Sequence, residues 1–422
     1  FGGVYQDPDA VAYATSHLDC LVLTGAGNDP EILKRADVGE ADFFISVTNS
    51  DEINMIACFL MASEFPGPKS IARVRNLAYT RSQSLQSSLS GIDYVVNPEV
   101  EAAQTLADSV VHGATGDIRF FKNTRVQLRS FQITPNSFFH DTTIKNLKSK
   151  LHEDFLVAGI ARDEDVIIPH GETTIRDGDT VQIIATSRSL NRILKKTHTG
   201  KLEMKNIVLV GAGRIGTYVS ELLTETGRNL KIIDWNYATC QKLAERFPEA
   251  LVMFGNISEE TIFEEEELHR NDLIITATGN QELNILSGIY AKQQGIDRAI
   301  AVVHGANFLP MASSLGIDVT VCPKISAVDA IMKFIRRGNV ETVHSIFSGR
   351  AEVIEYHIGK TAEVKGQPLK DLSMPANSLI VAVTRRGRDI IPDGNFVIRD
   401  GDSIIVFAKK ESIERLQAIF SE

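Results

Sequence analysis

Residues 206–216 read NIVLVGAGRIG, a short apolar run that ends abruptly in three glycines spaced as GxGxxG. The run predicts a buried strand, and the helical stretch that follows predicts a strand–turn–helix unit around the glycines. Each glycine has a mechanical task in such a unit. Gly211 permits the tight turn, Gly213 lets a pyrophosphate approach the backbone, and Gly216 lets the helix pack close to the strand. The stretch therefore favours a nucleotide-binding unit over a merely structural glycine turn.

Polar residues around this turn complete the predicted site. Arg214 and Ile215 begin the helix, whose free N–H groups and partial positive charge favour phosphates. Asp234 ends the next strand, where an acid can accept hydrogen bonds from ribose hydroxyls. An acid at this position disfavours a 2′-phosphate, so NAD or an adenine nucleotide fits better than NADP. Asn256 and Thr278 follow the ends of later apolar strands, at the edge where open parallel sheets bind ligands.

The chain contains two versions of this apparatus. The phrase TIRDGD at Thr174–Asp179 returns as VIRDGD at Val397–Asp402, and Asp42–Asn54 matches Asp272–Asn284. A period near half of a 422-residue chain indicates duplication of a whole multi-domain unit. We expect nucleotide domains at residues 1–116 and 199–342, and small domains at residues 117–198 and 343–422.

Composition and charge narrow the classes of function. A net charge of -10 argues against a nucleic-acid partner and against a diffuse basic surface for anionic lipid. No run approaches the ~18 apolar residues that span a bilayer. The cysteines are scattered without a CxxC pair, which favours buried thiols in a reducing cytoplasm over metal ligands. We expect a soluble, cytoplasmic protein without a metal site.

The first half departs from the second at its opening. If Phe1–Gly3 corresponds to the start of the glycine turn, Gly2 takes the place of Gly211. The rest of the turn and its helix then have no counterpart in the first half. No acid equivalent to Asp234 can be identified there either.

Two arginines also distinguish the first half. Arg73 and Arg75 lie at the end of the first-half strand that corresponds to the fifth strand of the second nucleotide domain, where the second half has VVHG at residues 302–305. Arginines at a ligand-facing strand end could meet phosphates with two parallel hydrogen bonds. They could equally form an intersubunit or surface salt bridge, and the sequence leaves both readings open.

The small segments share strands of period two, a short helix and a hairpin before a closing apolar strand and helix. The dipeptides Asp177-Gly178 and Asp400-Gly401 are typical of turns between strands. Their carboxylates could be read as metal ligands, but turn chemistry is favoured.

This order of domains resembles the KTN/RCK (regulator of potassium conductance) family, and in particular the regulatory subunits of Trk-type potassium uptake systems. The resemblance covers essentially the whole chain. It rests on the glycine turn with Asp234, on VTNSDEIN at Val47–Asn54, on ARVRN at Ala72–Asn76, and on the segment from Gly366 to Asp402. It implies an α/β fold with two tandem Rossmann-like, doubly wound parallel-sheet domains, each followed by a small α+β domain of the RCK-C type.

The resemblance also implies a function. NAD(H), ATP and ADP are expected to bind the larger domains, and their exchange is expected to alter domain angles and ion flux. The implied assembly is a homo-oligomeric ring, a tetramer, held at the inner face of the plasma membrane by an integral-membrane potassium-translocating subunit. In the first half the matched binding positions are Gly2, Gly25, Thr48, Asn49, Arg73 and Arg75.

An NAD-dependent oxidoreductase is the alternative, since it would share the cofactor fold. Hydride transfer needs an acid or base beside the nicotinamide, and His269, His304 and Lys324 are the candidates. None has a recognisable partner in the sequence, and the domain after the nucleotide unit is too small for a usual catalytic half. We therefore assign no catalytic residue.

Overall fold

A computed structural model of the chain describes residues 2–76, 78–79, 91–111, 113, 118–163, 165–196, 204–335, 340–360, 362 and 364–420. The chain divides into two compact units, Phe1–Glu101 and Ala102–Glu422. The expected domain boundaries after residues 116 and 198 lie outside the described residues.

The first unit alternates strands and helices. Its strands are β1 (Gly2–Tyr5), β2 (Leu21–Thr24), β3 (Phe43–Ser46), β4 (Lys69–Arg73) and β5 (Tyr94–Val96). Its helices are α1 (Pro8–His17), α2 (Pro30–Arg35), α3 (Asp51–Glu64) and the start of α4 (Pro98–Val111). The strands form two parallel groups, β1-β2 and β3-β4-β5. Side chains fix the helix starts, since Asp7, Asp29 and Ser50 each accept a hydrogen bond from a first-turn N–H.

Within the second unit, the first small domain is built on an antiparallel sheet of order β10-β9-β12-β7-β6. Its strands are β6 (Ile118–Phe120), β7 (Val126–Gln132), β8 (Thr142–Thr143), β9 (Phe155–Arg162), β10 (Asp165–Ile167), β11 (Thr174–Ile175) and β12 (Thr180–Thr186), and its helices are α5 (Ile144–Leu151) and α6 (Ser187–Lys196). The short strands β8 and β11 pair separately.

The nucleotide domain of the second unit has six parallel strands. They are β13 (Asn206–Val210), β14 (Asn229–Asp234), β15 (Leu251–Phe254), β16 (Leu273–Thr276), β17 (Arg298–Val302) and β18 (Val319–Val321). Its helices are α7 (Arg214–Thr224), α8 (Tyr237–Arg246), α9 (Glu260–Glu265), α10 (Gln281–Gln293), α11 (Phe308–Ser314) and α12 (Pro323–Ile335). The strand order β15-β14-β13-β16-β17-β18 is that of dinucleotide-binding folds. Apolar clusters cover both faces of the sheet, which confirms the predicted doubly wound arrangement.

The second small domain repeats the first, with sheet order β19-β20-β23-β21-β22. Its strands are β19 (Val340–Ile346), β20 (Ala351–His357), β21 (Ser378–Arg385), β22 (Arg388–Ile390) and β23 (Ser403–Lys409), followed by helix α13 (Ile413–Phe420). Strand β19 runs across the expected boundary at residue 343, so the sheet of this domain begins earlier than that boundary.

The two small domains pack sheet against sheet. Leu128 and Ile184 of the first share one buried apolar cluster with Val353 and Phe407 of the second. The contact is close at Gly159, where an added Cβ would lie 2.4 Å from the Phe407 ring. The duplicated sequence predicted both domains but gave no sign of this interface.

The Asp-Gly turns of the small domains contain a buried ion pair. The Asp402 carboxylate accepts from Arg385 Nε and Nη2 at 2.7 Å each, and from the Arg399 backbone N–H at 2.8 Å. Arg162 binds Asp179 in the same two-pronged way at 2.8 Å. The acids Asp177 and Asp400 lie in the turns themselves, which are closed by hydrogen bonds from the Asp179 N–H to the Arg176 carbonyl and from the Asp402 N–H to the Arg399 carbonyl. The described residues contain no group of three or more His, Cys, Asp or Glu side chains able to hold a metal ion.

Strand register corrects one sequence alignment. In β1 and β2, Gly2 pairs with Leu21 and Tyr5 with Thr24. In β14 and β15, Lys231 pairs with Leu251 and Asp234 with Phe254. Strand β1 is thus the counterpart of β14, and the alignment of Gly2 with the glycine turn is wrong. Tyr5 stands where the second copy has its acid.

Candidate nucleotide-binding sites

The glycine turn of the second copy is shaped by two steric demands. Gly211 has φ +98°, and a Cβ there would lie 2.7 Å from the Ala277 carbonyl oxygen. A Cβ on Gly216 would lie 1.9 Å from the Gly211 carbonyl oxygen, so the helix can approach the turn only without one. Both glycines are therefore required by the protein itself.

Gly213 is different. A Cβ at this position would meet nothing within 4 Å, and φ is -65°, which any residue adopts. It is the N-cap of α7 and makes no side-chain capping bond to the first turn of the helix. Open space in front of a helix N-terminus is what an anionic ligand requires.

A pocket of ≈ 280 Å³ lies at the carboxyl ends of β13, β14 and β16, where the strand order reverses. The predicted residues Gly211, Asp234, Asn256 and Thr278 all line it. Trp235 also lines it, and sequence reasoning had not singled this residue out. Its signal was available, because it directly follows the acid that ends β14.

The Asp234 carboxylate is held in a fixed orientation at this pocket. Its Oδ2 accepts from the Ala212 backbone N–H at 2.6 Å and its Oδ1 from the Asn236 N–H at 2.8 Å. These bonds tie the acid to the glycine turn on one side and to the start of α8 on the other. Each oxygen keeps accepting capacity for a ribose hydroxyl.

An asparagine locks the next strand end. Asn284 is fully buried, and its Oδ1 accepts from the Thr278 backbone N–H at 3.0 Å and from Thr278 Oγ1 at 2.6 Å. Its Nδ2 donates to the carbonyls of Thr278 and Val302. Asn280 is the residue that caps α10, by accepting from the Leu283 N–H. Thr278 is therefore positioned by Asn284, which clamps two strands of the sheet together.

The first copy repeats this clamp. Asn54 is fully buried and accepts from the Thr48 backbone N–H and from Thr48 Oγ1, both at 2.7 Å. Its Nδ2 donates to the carbonyls of Thr48 and Arg73. The structure therefore brings Thr48, Asn49 and the two arginines to one strand edge.

The arginines there make internal contacts. Arg73 Nη2 donates to the Thr48 carbonyl at 2.6 Å and to Asn49 Oδ1 at 3.2 Å. Burial lowers the pKa of the Arg73 guanidinium, and the positive charge of Arg75 lowers it further. Arg75 forms an ion pair with Asp51, with Nε 3.3 Å from Oδ1. For Arg75 the salt bridge expected as one alternative exists, and it lies within the same domain.

The side chain that holds the backbone at this strand edge is Asp51 in the first copy and Gln281 in the second. The Asp51 carboxylate accepts the backbone N–H groups of Arg75 and Asn76. In the second copy the neutral Gln281 amide accepts the corresponding N–H groups, those of His304 and Gly305. The same backbone geometry is thus held by a charged network in one copy and by a neutral amide in the other.

Ile215, Gly2 and Gly25 were also predicted, and they are not among the residues that line the pocket of the second copy. The Ile215 side chain is buried in the apolar core on one face of the six-stranded sheet, so only its backbone N–H is available to a ligand. Gly25 follows β2, and a Cβ there would lie 2.7 Å from Ile32. Gly255 has the same contact with Ile262 at 2.4 Å, so packing is sufficient reason for a glycine at both positions. Gly2 lies within β1.

The strand order, the glycine turn and the pocket define a duplicated protein of the dinucleotide-binding-fold class. The model of the TrkA-N domain matches residues 2–98 and 207–323, and that of the TrkA-C domain matches residues 128–198 and 353–421. The chain belongs to this TrkA-N/TrkA-C family, which confirms the resemblance drawn from its motifs.

Curated relatives extend over nearly the whole chain. The Trk system potassium uptake protein TrkA homolog 1 of Methanosarcina mazei is 29% identical over 99% of this chain and 94% of its own length. The Trk system potassium uptake protein TrkA of Halomonas elongata is 29% identical over 99% of this chain and 92% of its own.

Solved structures share the fold. The GsuK RCK domain superposes with a TM-score of 0.56 at 16% identity, covering 100% of this chain and 89% of that one. The GsuK channel bound to NAD gives a TM-score of 0.55 at 16% identity, covering 100% of this chain and 74% of that one. Among the described residues, no helix combines the length and the apolar character that crossing a membrane requires.

Proposed function

We propose that the chain is a nucleotide-responsive regulatory subunit of a Trk-type potassium uptake system. The second nucleotide domain binds NAD(H) or an adenine nucleotide, and the first binds an anionic nucleotide such as ATP or ADP. The protein acts as a homo-oligomeric ring, a tetramer, on the cytoplasmic side of an integral-membrane potassium-translocating partner. Ligand exchange selects among domain arrangements and thereby changes ion flux.

One observation supports this proposal above the others. The pocket at the strand switch point combines Gly211 of the glycine turn with an oriented acid at Asp234, and Gly213 of the same turn faces open space, within a chain of the TrkA-N/TrkA-C family. The names of the curated relatives supply the transport system, and the solved GsuK channel bound to NAD supplies a ligand precedent on the same fold.

The charge difference between the copies supports two unlike inputs. The first copy presents Arg73 and Arg75 beside Asp51, whereas the second presents Gln281 at the matching place. A more highly charged phosphate chain gains more from the arginines than a dinucleotide does. Two non-identical sites in one chain suit a protein that compares two ligands.

The oxidoreductase alternative draws less support. Asp234 is the titratable residue among the described residues that line the pocket, and its carboxylate accepts hydrogen bonds from two backbone N–H groups. His269, His304 and Lys324 are not among those lining residues. Hydride transfer would need such a group beside the nicotinamide.

Calorimetric titration of the purified chain with ATP, ADP, NADH and NADPH tests the proposal. We expect two classes of site without turnover. Asp234→Ala should weaken one class, because it removes the ribose acceptor, and Arg73→Ala should weaken the other. NADH binding alone, insensitive to Arg73→Ala, would refute the two-input reading, and consumption of NADH would favour the enzyme.

Coupling to domain motion needs its own measurement. Saturating nucleotide should change the solution scattering profile or the hydrogen exchange of the small domains. If each ligand binds and neither observable moves, the regulatory part of the proposal fails while nucleotide binding stands.

A further inference from the structure

We infer that Trp235 is the stacking surface for the adenine base of the nucleotide in the second pocket, and that it sets the preference of this site for base-containing ligands. The inference rests on the proposed function, because it assigns a residue to the ligand of that same pocket. It adds a specificity determinant outside the glycine turn and the acid.

The order of groups along the pocket leads to Trp235. Phosphates belong at the open backbone of Gly213 and the start of α7, and a ribose belongs at the Asp234 carboxylate. The group beyond the ribose therefore lies on the far side of Asp234 from the turn. Trp235 and Ile257 line the pocket there, one following β14 and the other following β15.

The environment of Trp235 suits a ligand contact. Its side chain is 74% exposed, although a large aromatic group gains most from burial. A purine stacked on it would shield one face of the indole and one face of the base from water. Such stacking does not depend on the hydrogen-bonding edge of the base. Asn256 lines the same pocket; its Oδ1 accepts from the Ser258 N–H, and an amide Nδ2 can donate to a base.

The first copy lacks this device. Because β1 and β2 align in register with β14 and β15, Tyr5 stands at the position of Asp234 and Gln6 at that of Trp235. The first copy therefore has neither an acid nor a tryptophan at the two equivalent positions.

Trp235 is the only tryptophan of the chain, so emission excited selectively in tryptophan reports on this pocket alone. The full chain is titrated with ADP and with ribose 5-phosphate, which lacks the base, while emission and heat are recorded. We expect ADP to quench the emission and ribose 5-phosphate to leave it unchanged. Trp235→Ala should weaken ADP binding at this site about tenfold without changing the affinity for ribose 5-phosphate.

Two variants guard the interpretation. Trp235→Phe keeps an aromatic face and should retain ADP affinity within about threefold. Tyr237→Ala removes a similarly exposed aromatic group, 61% exposed, that is not among the pocket-lining residues, and it should bind ADP as the unaltered chain does. Circular dichroism confirms that each variant is folded, and quenching of the Trp235 emission by ADP but not by ribose 5-phosphate in the unaltered chain carries the test if Trp235→Ala is not.

The outcomes separate this inference from the proposed function. If Asp234→Ala weakens ADP binding while Trp235→Ala binds like the unaltered chain and ADP leaves the Trp235 emission unchanged, the base lies elsewhere and only the present inference is overturned. If calorimetry detects no adenine nucleotide bound to the unaltered chain, the proposed function fails and this inference fails with it.

Discussion

Replacing Gly213 with alanine should weaken nucleotide binding at the second pocket at least about tenfold while leaving the fold intact. An added Cβ at this position meets no protein atom within 4 Å, and the backbone has φ -65°. The cost to stability is that of alanine at a helix N-cap, at most about 1 kcal/mol. The same Cβ would stand in the open space before the first turn of α7, where a phosphate must approach.

The neighbouring glycines give matched controls with the opposite outcome. Gly211→Ala would place alanine at φ +98°, which costs roughly 1–2 kcal/mol, and would bring its Cβ to 2.7 Å from a carbonyl oxygen. Gly216→Ala would bring a Cβ to 1.9 Å from another carbonyl oxygen, and overpacking of this kind costs about 1–3 kcal/mol or more. Both variants should lose stability before any question of ligand arises.

Thermal unfolding and calorimetric titration with ADP and NADH distinguish the three variants. We expect Gly213→Ala to unfold close to the unaltered chain and to bind at least about tenfold more weakly, since a 1.4 kcal/mol loss is already tenfold. If Gly213→Ala binds both nucleotides with unchanged affinity, no ligand approaches this backbone and the assignment of the phosphate position is wrong.

Three further predictions concern charge and burial. Asp51→Asn should tighten ATP binding in the first domain by roughly fivefold, about 1 kcal/mol. The reason is that an amide can accept the backbone N–H groups at this position, as Gln281 does in the second copy, without a negative charge near the phosphates. Gln281→Glu should weaken nucleotide binding in the second domain, and equal calorimetric affinities for all forms would contradict this. Asp402→Asn breaks the buried two-pronged ion pair with Arg385 and should lower the free energy of unfolding by about 3–5 kcal/mol, seen as faster hydrogen exchange in β21 and β23. Asp179→Asn should have the same effect on β9 and β12. A loss of stability below about 1 kcal/mol would mean that the pair behaves like an exposed one. Burial raises the pKa of the Cys58 thiol to about 12, so this thiol stays protonated near neutral pH. Iodoacetamide should therefore label Cys58 only after denaturation, and rapid labelling of Cys58 in the native chain would show that its surroundings open.

The glycine turn and its acid were predictable because their determinants are local. A strand, a turn of three spaced glycines and a helix follow one another within a short stretch, and steric demands at Gly211 and Gly216 act within that stretch or on its immediate neighbour in the sheet. Duplication was also visible, since repeated phrases need no structure to be recognised. Charge asymmetry at Arg73 and Arg75 was likewise read directly from residue types.

Other features depended on pairing between distant segments. The opening glycines of the first half look like a phosphate turn, yet the pairing of Gly2 with Leu21 makes them part of a strand. The buried amide of Asn284 bridges two strand ends that are far apart in the sequence. Neither pairing leaves a local signature, because backbone hydrogen bonds between strands do not depend on side-chain identity.

The sequence by itself determined the fold class and the duplication, and it predicted the phosphate and ribose positions of the second copy, because each rests on short-range stereochemistry and on strand ends that open sheets share. Only the tertiary structure decided which strand of the first half carries Tyr5, how Asp51 and Gln281 hold equivalent strand ends, and that Trp235 lines the pocket. These depend on register and on contacts across the sheet, where a shift of one residue would turn every side chain to the opposite face.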